Sequence, residues 1–141
     1  MNLPFLSRLQ ALATPAATPS KGNRQKAEAT VAALRAELPE LLAVAVIDLE
    51  RGEALASFSS VAGLSPAKAA PYNAEVVRQK RRALEALQLQ GEKIEDILIT
   101  LREQLHLLRI SHNEQEVLYL AVNSHDTNLA IARAVLQAHS T

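Results

Sequence analysis

Cysteine is absent from the 141 residues, which excludes disulfides, thiol nucleophiles and cysteine-ligated zinc or iron–sulfur centres. Tryptophan is absent as well, and two Phe and two Tyr make up the whole aromatic complement, leaving little on which nucleic-acid bases could stack. Neither sign of charge dominates. The 15 Lys and Arg balance 15 Asp and Glu, which argues against a surface built to bind nucleic acid electrostatically. No apolar run approaches the roughly 20 residues that span a bilayer; the longest is Leu41 to Ile47. The four glycines, Gly22, Gly52, Gly63 and Gly91, stand singly, so no glycine-rich phosphate loop exists. What remains is a chain with 48% hydrophobic residues, too apolar for disorder and of a length that suits one domain.

The first stretch differs from the rest. Met1 to Asn23 holds Pro4, Pro15 and Pro19 and no acidic residue, and Ala11 to Asn23 is mostly Ala, Thr, Pro, Ser and Gly. This composition predicts a flexible tail over residues 1–23 and a domain over 24–141. Within the tail, Leu3, Leu6, Leu9 and Leu12 recur at near-helical spacing, the pattern of a short anchor for a partner or a membrane surface. Arg8 is its one basic residue before Lys21, so affinity for anionic lipid would be weak. A basic leader followed by a continuous apolar run is missing, and a secretory signal is not expected.

The remainder alternates between helical and strand patterns. Ala27, Val31, Leu34 and Leu38 make a narrow apolar stripe, predicting a helix over Gln25 to Glu37 that Pro39 stops. The unbroken run Leu41 to Ile47 predicts a central strand covered on both faces. Asp48 to Gly52 supplies turn residues, and Ala54 to Ser59 reads as the returning strand, with Leu55 and Ser57 on one face and Ala56 and Phe58 on the other. Ser65-Pro66 fits a helix start. Pro71 would cost about 3 kcal/mol inside a helix, so a short turn over Ser65 to Ala70 and a main helix from Pro71 to Leu89 are expected, ended by Gly91. Ile94, Ile97, Leu98, Leu101, Leu105 and Leu108 fit one helix from Glu92 to Arg109, yet the β-branched Ile97, Ile99 and Thr100 with a turn at Arg102 to Gln104 fit two strands. Val117 to Val122 is another near-continuous strand. Ser124 to Thr127 offers capping oxygens to a helix from Asn128 to Ala138, whose Leu129, Ala132, Val135 and Leu136 face inward. The sum is an α/β architecture around an antiparallel sheet.

Four stretches in this order resemble the Roadblock family, which takes in dynein light chains and bacterial regulators of Ras-like GTPases. They are Val44 to Gly52, the pair Ile97 to Leu101 and His106 to Ile110, Leu118 to Val122, and Asn128 to Arg133. The resemblance covers about Gln25 to Ala138. It implies a five-stranded antiparallel sheet between helices, a Roadblock/longin-like, profilin-like sandwich, and so implies two strands rather than one helix in the ambiguous segment. It also implies a two-fold dimer in which the second helix and third strand meet their symmetry mates. Two departures stand out: Arg109 is followed by Ile110-Ser111 where the family often has proline, and the last strand ends in Asn123-Ser124 rather than Asp-Arg.

No catalytic constellation emerges. His106, His112, His125 and His139 show no metal-binding spacing, and no serine sits in a Gly-x-Ser-x-Gly elbow. Glu95 and Asp96, neighbours on a strand, would point to opposite faces and could not share a proton. Neither enzymatic activity, metal nor cofactor is expected. The one charge cluster, Arg78-Gln79-Lys80-Arg81-Arg82, reads first as a solvated face paired with Glu75 and Glu85, second as a dimer or partner contact, and third as a nucleic-acid or lipid contact.

Taken together, the expectation is a cytoplasmic bacterial scaffold: a homodimer that binds a Ras-like small GTPase, with no role for nucleic acid or membrane. The resemblance nominates Val76, Val77, Arg78, Arg81, Leu84, Leu87, Ile94 and Asp96 as dimer or partner contacts. Arg51, in the hairpin turn, is the nearest thing to an arginine finger, though a turn arginine is more often only solvated. The alternatives are a structural or motility-associated adaptor without a nucleotide-linked role, and a weak nucleic-acid or lipid contact through the basic helix.

Overall fold

A computed structural model describes residues 21–141, which run α1 (Lys21–Glu37), β1 (Ala43–Asp48), β2 (Glu53–Ser59), α2 (Pro66–Ala86), β3 (Asp96–Thr100), β4 (Gln104–Ile110), β5 (Glu116–Asn123) and α3 (Leu129–Ala138). The strands form one antiparallel sheet in the order β2-β1-β5-β4-β3. The tail expected over residues 1–23, with its Leu3 to Leu12 pattern, lies outside the described residues up to Ser20. Its last three residues, Lys21, Gly22 and Asn23, form the first turn of α1. They are exposed and so lack the apolar periodicity by which the rest of the helix is recognised.

Alternation along the strands sorts side chains onto two faces. Val44, Val46, Leu105, Leu107, Leu118, Leu120 and Val122 pack against Ala27, Val31, Leu34 and Leu38 of α1 and its exit, and against Ala132 and Leu136 of α3. Ala43, Ala45, Ile47, Leu108, Val117 and Ala121 face the other way, against Ala70, Ala74 and Val77 of α2. Alanine meets alanine there, and small side chains on both surfaces let α2 lie close on the sheet. It packs on β2, β1 and β5, which leaves the β3 side of that face without a helix.

Three expectations are corrected. Leu55 and Ala56 do not alternate: Leu55, Ala56 and Phe58 all pack toward α1, because a β-bulge between Val46 and Ile47 shifts the register from Val46↔Ala56 to Ile47↔Ala54, inserting an extra residue into β2. α2 is one helix through Pro71, not a turn followed by a helix. Ser65 caps it, its Oγ accepting from the Lys68 amide at 3.2 Å, and Pro66 takes the first helical position. Ala67 and Pro71 are exposed, so water can serve the carbonyl that Pro71 leaves without a donor, and burial of Ala70, Ala74 and Val77 holds the helix down. Gly52, at φ +68°, accommodates this packing, since a Cβ there would sit 3.4 Å from the Pro71 Cα. Finally, α3 is capped by Asn128 itself, whose Oδ1 accepts from the Ile131 amide at 3.2 Å. The ambiguous middle segment is the strand pair β3 and β4, in register from Asp96↔Arg109 to Thr100↔Leu105.

Candidate interaction surface

The apolar arc of α2 is wider than its buried stripe. Ala70, Ala74 and Val77 face the sheet and are fully buried. One position round the helix, Tyr72, Val76 and Ala83 look out beside β3; Tyr72 is 75% exposed and Val76 39%. Gln88, not Gly91, terminates the helix. With φ +59° it sits in the left-handed region; its N–H donates to the Glu85 carbonyl at 3.0 Å and the Leu89 N–H to the Leu84 carbonyl at 2.8 Å. This is the Schellman arrangement, with its accompanying hydrophobic pair supplied by Leu84 and Leu89. The turn sends the chain back beside α2 toward Ile94 and Ile97. Between α2 and this returning segment lies an open groove of about 1060 Å³, with Tyr72, Val76, Ala83, Leu84, Ile94 and Ile97 among its lining.

Charge surrounds the groove. Glu75, Glu92 and Glu95 stand along it with Lys80 and Lys93. Glu75 lies below the ordinary carboxylate range because Gln79 and Arg78 hydrogen-bond it, at 2.8 and 3.1 Å. Arg78 and Arg81 of the basic cluster turn to the opposite flank of α2. Arg78 Nη1 donates to the Leu49 carbonyl at 2.6 Å and Arg81 Nη2 to the Glu114 carbonyl at 3.2 Å, tying α2 to the β1–β2 and β4–β5 turns. They line a second, polar cleft with Asn23, Asp48, Glu114 and Glu116. Glu116 faces Asp48 across the β1–β5 ladder, and burial first, then the Asp48 charge, raises its pKa against the opposing pull of Lys26.

The nominated contacts therefore separate. Val76, Leu84 and Ile94 come together in the groove. Val77 does not: it is fully buried beneath α2 and is a core residue, inaccessible to any partner while the fold is intact. Arg78 and Arg81 line the polar cleft instead. Leu87, the C-cap, is 63% exposed and stands outside the groove's lining. Asp96 sits at the groove, but its carboxylate is taken by Arg133 of α3, at 3.1 and 3.2 Å, with Arg109 at 3.9 Å. Sequence reasoning missed Tyr72, Ala83, Leu89 and Ile97; the 72, 76, 83 spacing, once Ala70 and Ala74 fix the buried side, was the signal.

The histidines do not converge. His106 Nε2 lies 2.8 Å from Gln104 Oε1, its ring meets Tyr119 edge-on, and burial lowers its pKa. His139 Nε2 contacts Glu37 at 2.6 Å, joining α3 to α1. Among the described residues there is no group of three or more His, Asp or Glu placed to hold a metal ion, and no helix long and apolar enough to cross a membrane. Arg51, in the hairpin turn, is bonded to Glu53 at 3.2 Å.

Known proteins match this chain in shape rather than in sequence. No protein-family model and no curated protein sequence matches it. Among solved structures, Myxococcus xanthus MglB superposes with a TM-score of 0.74 at 15% identity, covering 88% of this chain and 89% of that one. An MglB with a tetrameric arrangement gives 0.69 at 16% identity, covering 91% and 92%. The Roadblock/LC7 domain from Streptomyces avermitilis gives 0.66 at 13% identity, covering 80% and 90%. At such identities the common property is the backbone arrangement, and a five-stranded antiparallel sheet with α2 on one face and α1 and α3 on the other is the Roadblock/LC7 fold.

Proposed function

We propose that this chain is a non-enzymatic, homodimeric binding platform that regulates or tethers a Ras-like small GTPase in the cytoplasm. The observation that carries this reading is the open apolar groove between α2 and the approach to β3. A second copy placing its own α2 over the first would cover Tyr72, Val76 and Leu84 on both sides. Burial of such side chains is worth about 25 cal/mol per Å² of apolar surface. The similar MglB with a tetrameric arrangement supports self-association, and the GTPase comes from the Roadblock resemblance. In this reading the platform acts by positioning residues of the GTPase itself, since Arg51, the nearest finger candidate, is engaged by Glu53.

The test has two parts. Light scattering at high concentration is expected to give twice the chain mass; a strictly monomeric protein sinks the dimer. Capture from native lysate with a non-hydrolysable GTP analogue, with GDP and without nucleotide is expected to retain a GTPase only with the analogue. The purified pair is then assayed for hydrolysis. Capture of other proteins regardless of nucleotide would make the chain a structural or motility-associated adaptor, and the GTPase role would be dropped. Contact with nucleic acid or lipid through the basic helix is disfavoured by the internal bonds of Arg78 and Arg81; binding that falls steeply with salt would restore it.

A further inference from the structure

We propose that the segment Leu3 to Leu12 of the same chain docks into the α2–β3 groove and there competes with a second copy. The groove is apolar and open, and the segment carries Leu3, Phe5, Leu6, Leu9 and Leu12 within ten residues. The charges also match. Residues 1–20 hold Arg8 and no carboxylate side chain, whereas the groove is lined by Glu75, Glu92 and Glu95 against Lys80 and Lys93, with Asp96 held by Arg133.

The path is continuous. Asn23, in the first turn of α1, lines the polar cleft together with Arg81 and Glu114. Those two residues also line an adjoining hollow with Leu84, Leu89 and Ile94, and these three line the groove in turn. A chain leaving Lys21 toward its N-terminus thus starts beside a furrow that opens into the groove. Ala13 to Ser20 can span about 27 Å when extended, whereas Arg81 lies only about 8 Å along the α2 axis from Val76.

Tethering decides which occupant wins. A short tether gives an effective concentration of roughly millimolar. A second copy at micromolar concentration is about a thousandfold more dilute, so the segment holds the groove against it even when it binds up to about a thousandfold more weakly. Because both copies must be open to pair, a groove covered nine-tenths of the time raises the dimer dissociation constant about a hundredfold. This competition rests on the pairing reading above; the docking itself does not.

The chain has no native thiol, so a spin label on Ser7→Cys is the only one. Methyl relaxation in the full chain is expected to broaden Val76, Leu84, Ile94 and Ile97 strongly and to spare Val31 and Leu136 on the opposite face. A mixture of spin-labelled and separately isotope-labelled chains is expected to show little broadening. The Leu6→Asp/Leu9→Asp double variant is expected to abolish the effect and to tighten self-association about a hundredfold by sedimentation. Even broadening on both faces, or broadening only in the mixture, overturns docking within the chain. Groove broadening with unchanged self-association overturns the competition. Groove broadening in a chain that never self-associates supports the docking and instead sinks the pairing reading.

Discussion

Gln88 holds a conformation that glycine adopts more cheaply. Its φ of +59° lies in the left-handed region, which costs an L-residue roughly 1–2 kcal/mol, and glycine returns part of that gain through a more flexible unfolded chain. Gln88→Gly is therefore expected to stabilise the fold by about 0.5–1 kcal/mol in urea denaturation, with no change in slope; a loss of stability would mean that the glutamine side chain contributes packing. Glu116 makes the opposite kind of residue argument. Burial raises its folded pKa above the usual 4.5, so the folded state holds the proton more tightly than the unfolded one. Stability then falls as pH rises from about the unfolded value through the folded one. Glu116→Gln removes that slope and is expected to be more stable than the parent at pH 7, the advantage vanishing toward pH 4. Melting curves at several pH values check this, and an advantage that grows toward low pH would reverse the sign.

At the scale of elements, one carboxylate links three of them. Asp96 of β3 meets Arg109 of β4 and Arg133 of α3, but the arginines are not equivalent: the Arg109 side chain is 16% exposed and that of Arg133 43%. Arg133→Ala removes a largely solvated pair worth about 0.5 kcal/mol. Asp96→Ala also strands the more buried guanidinium and is expected to cost about 2 kcal/mol. Equal losses in chemical denaturation would show that Arg109 is satisfied elsewhere. The same elements show what the sequence could reveal. α1 and α3 were legible because apolar residues recur at helical spacing, β1 and β5 because their apolar runs are nearly unbroken, and the hairpin because Asp48 and Gly52 are turn residues. β3 and β4 were not, since Ile94 to Leu108 fits a helical stripe as well as two half-covered strands, and the Roadblock resemblance rather than periodicity decided between them. The continuity of α2 through Pro71 was hidden as well. Propensity counts the lost hydrogen bond, but the Ser65 cap and the alanine packing that offset it are tertiary facts. The bulge that brings Leu55 and Ala56 to one face depends on register, which no strand shows alone.

At the scale of the whole molecule, two adjacent valines separate folding from association. A helix places neighbours about 100° apart, so Val76 looks into the groove at 39% exposure while Val77 is fully buried under the helix. Their order could be read from sequence only by fixing the phase of α2, and that phase is set by Ala70 and Ala74 against Ala43, Ala45 and Ala121. An aspartate at 77 buries an unpaired charge, at a cost of more than about 4 kcal/mol, a large part of the roughly 5–15 kcal/mol that holds a domain folded. Val77→Asp is expected to unfold the chain and reports nothing about partners. Val76→Asp and Leu84→Asp place the charge beside solvent, so both variants are expected to keep the parent's circular dichroism and to lose melting stability only slightly. If the α2–β3 groove is the seam between two copies, each variant shifts the mass in light scattering from dimer toward monomer at concentrations where the parent is paired. Folded variants that stay dimeric would move the seam elsewhere, with the polar cleft at Arg78 and Arg81 the next surface to probe.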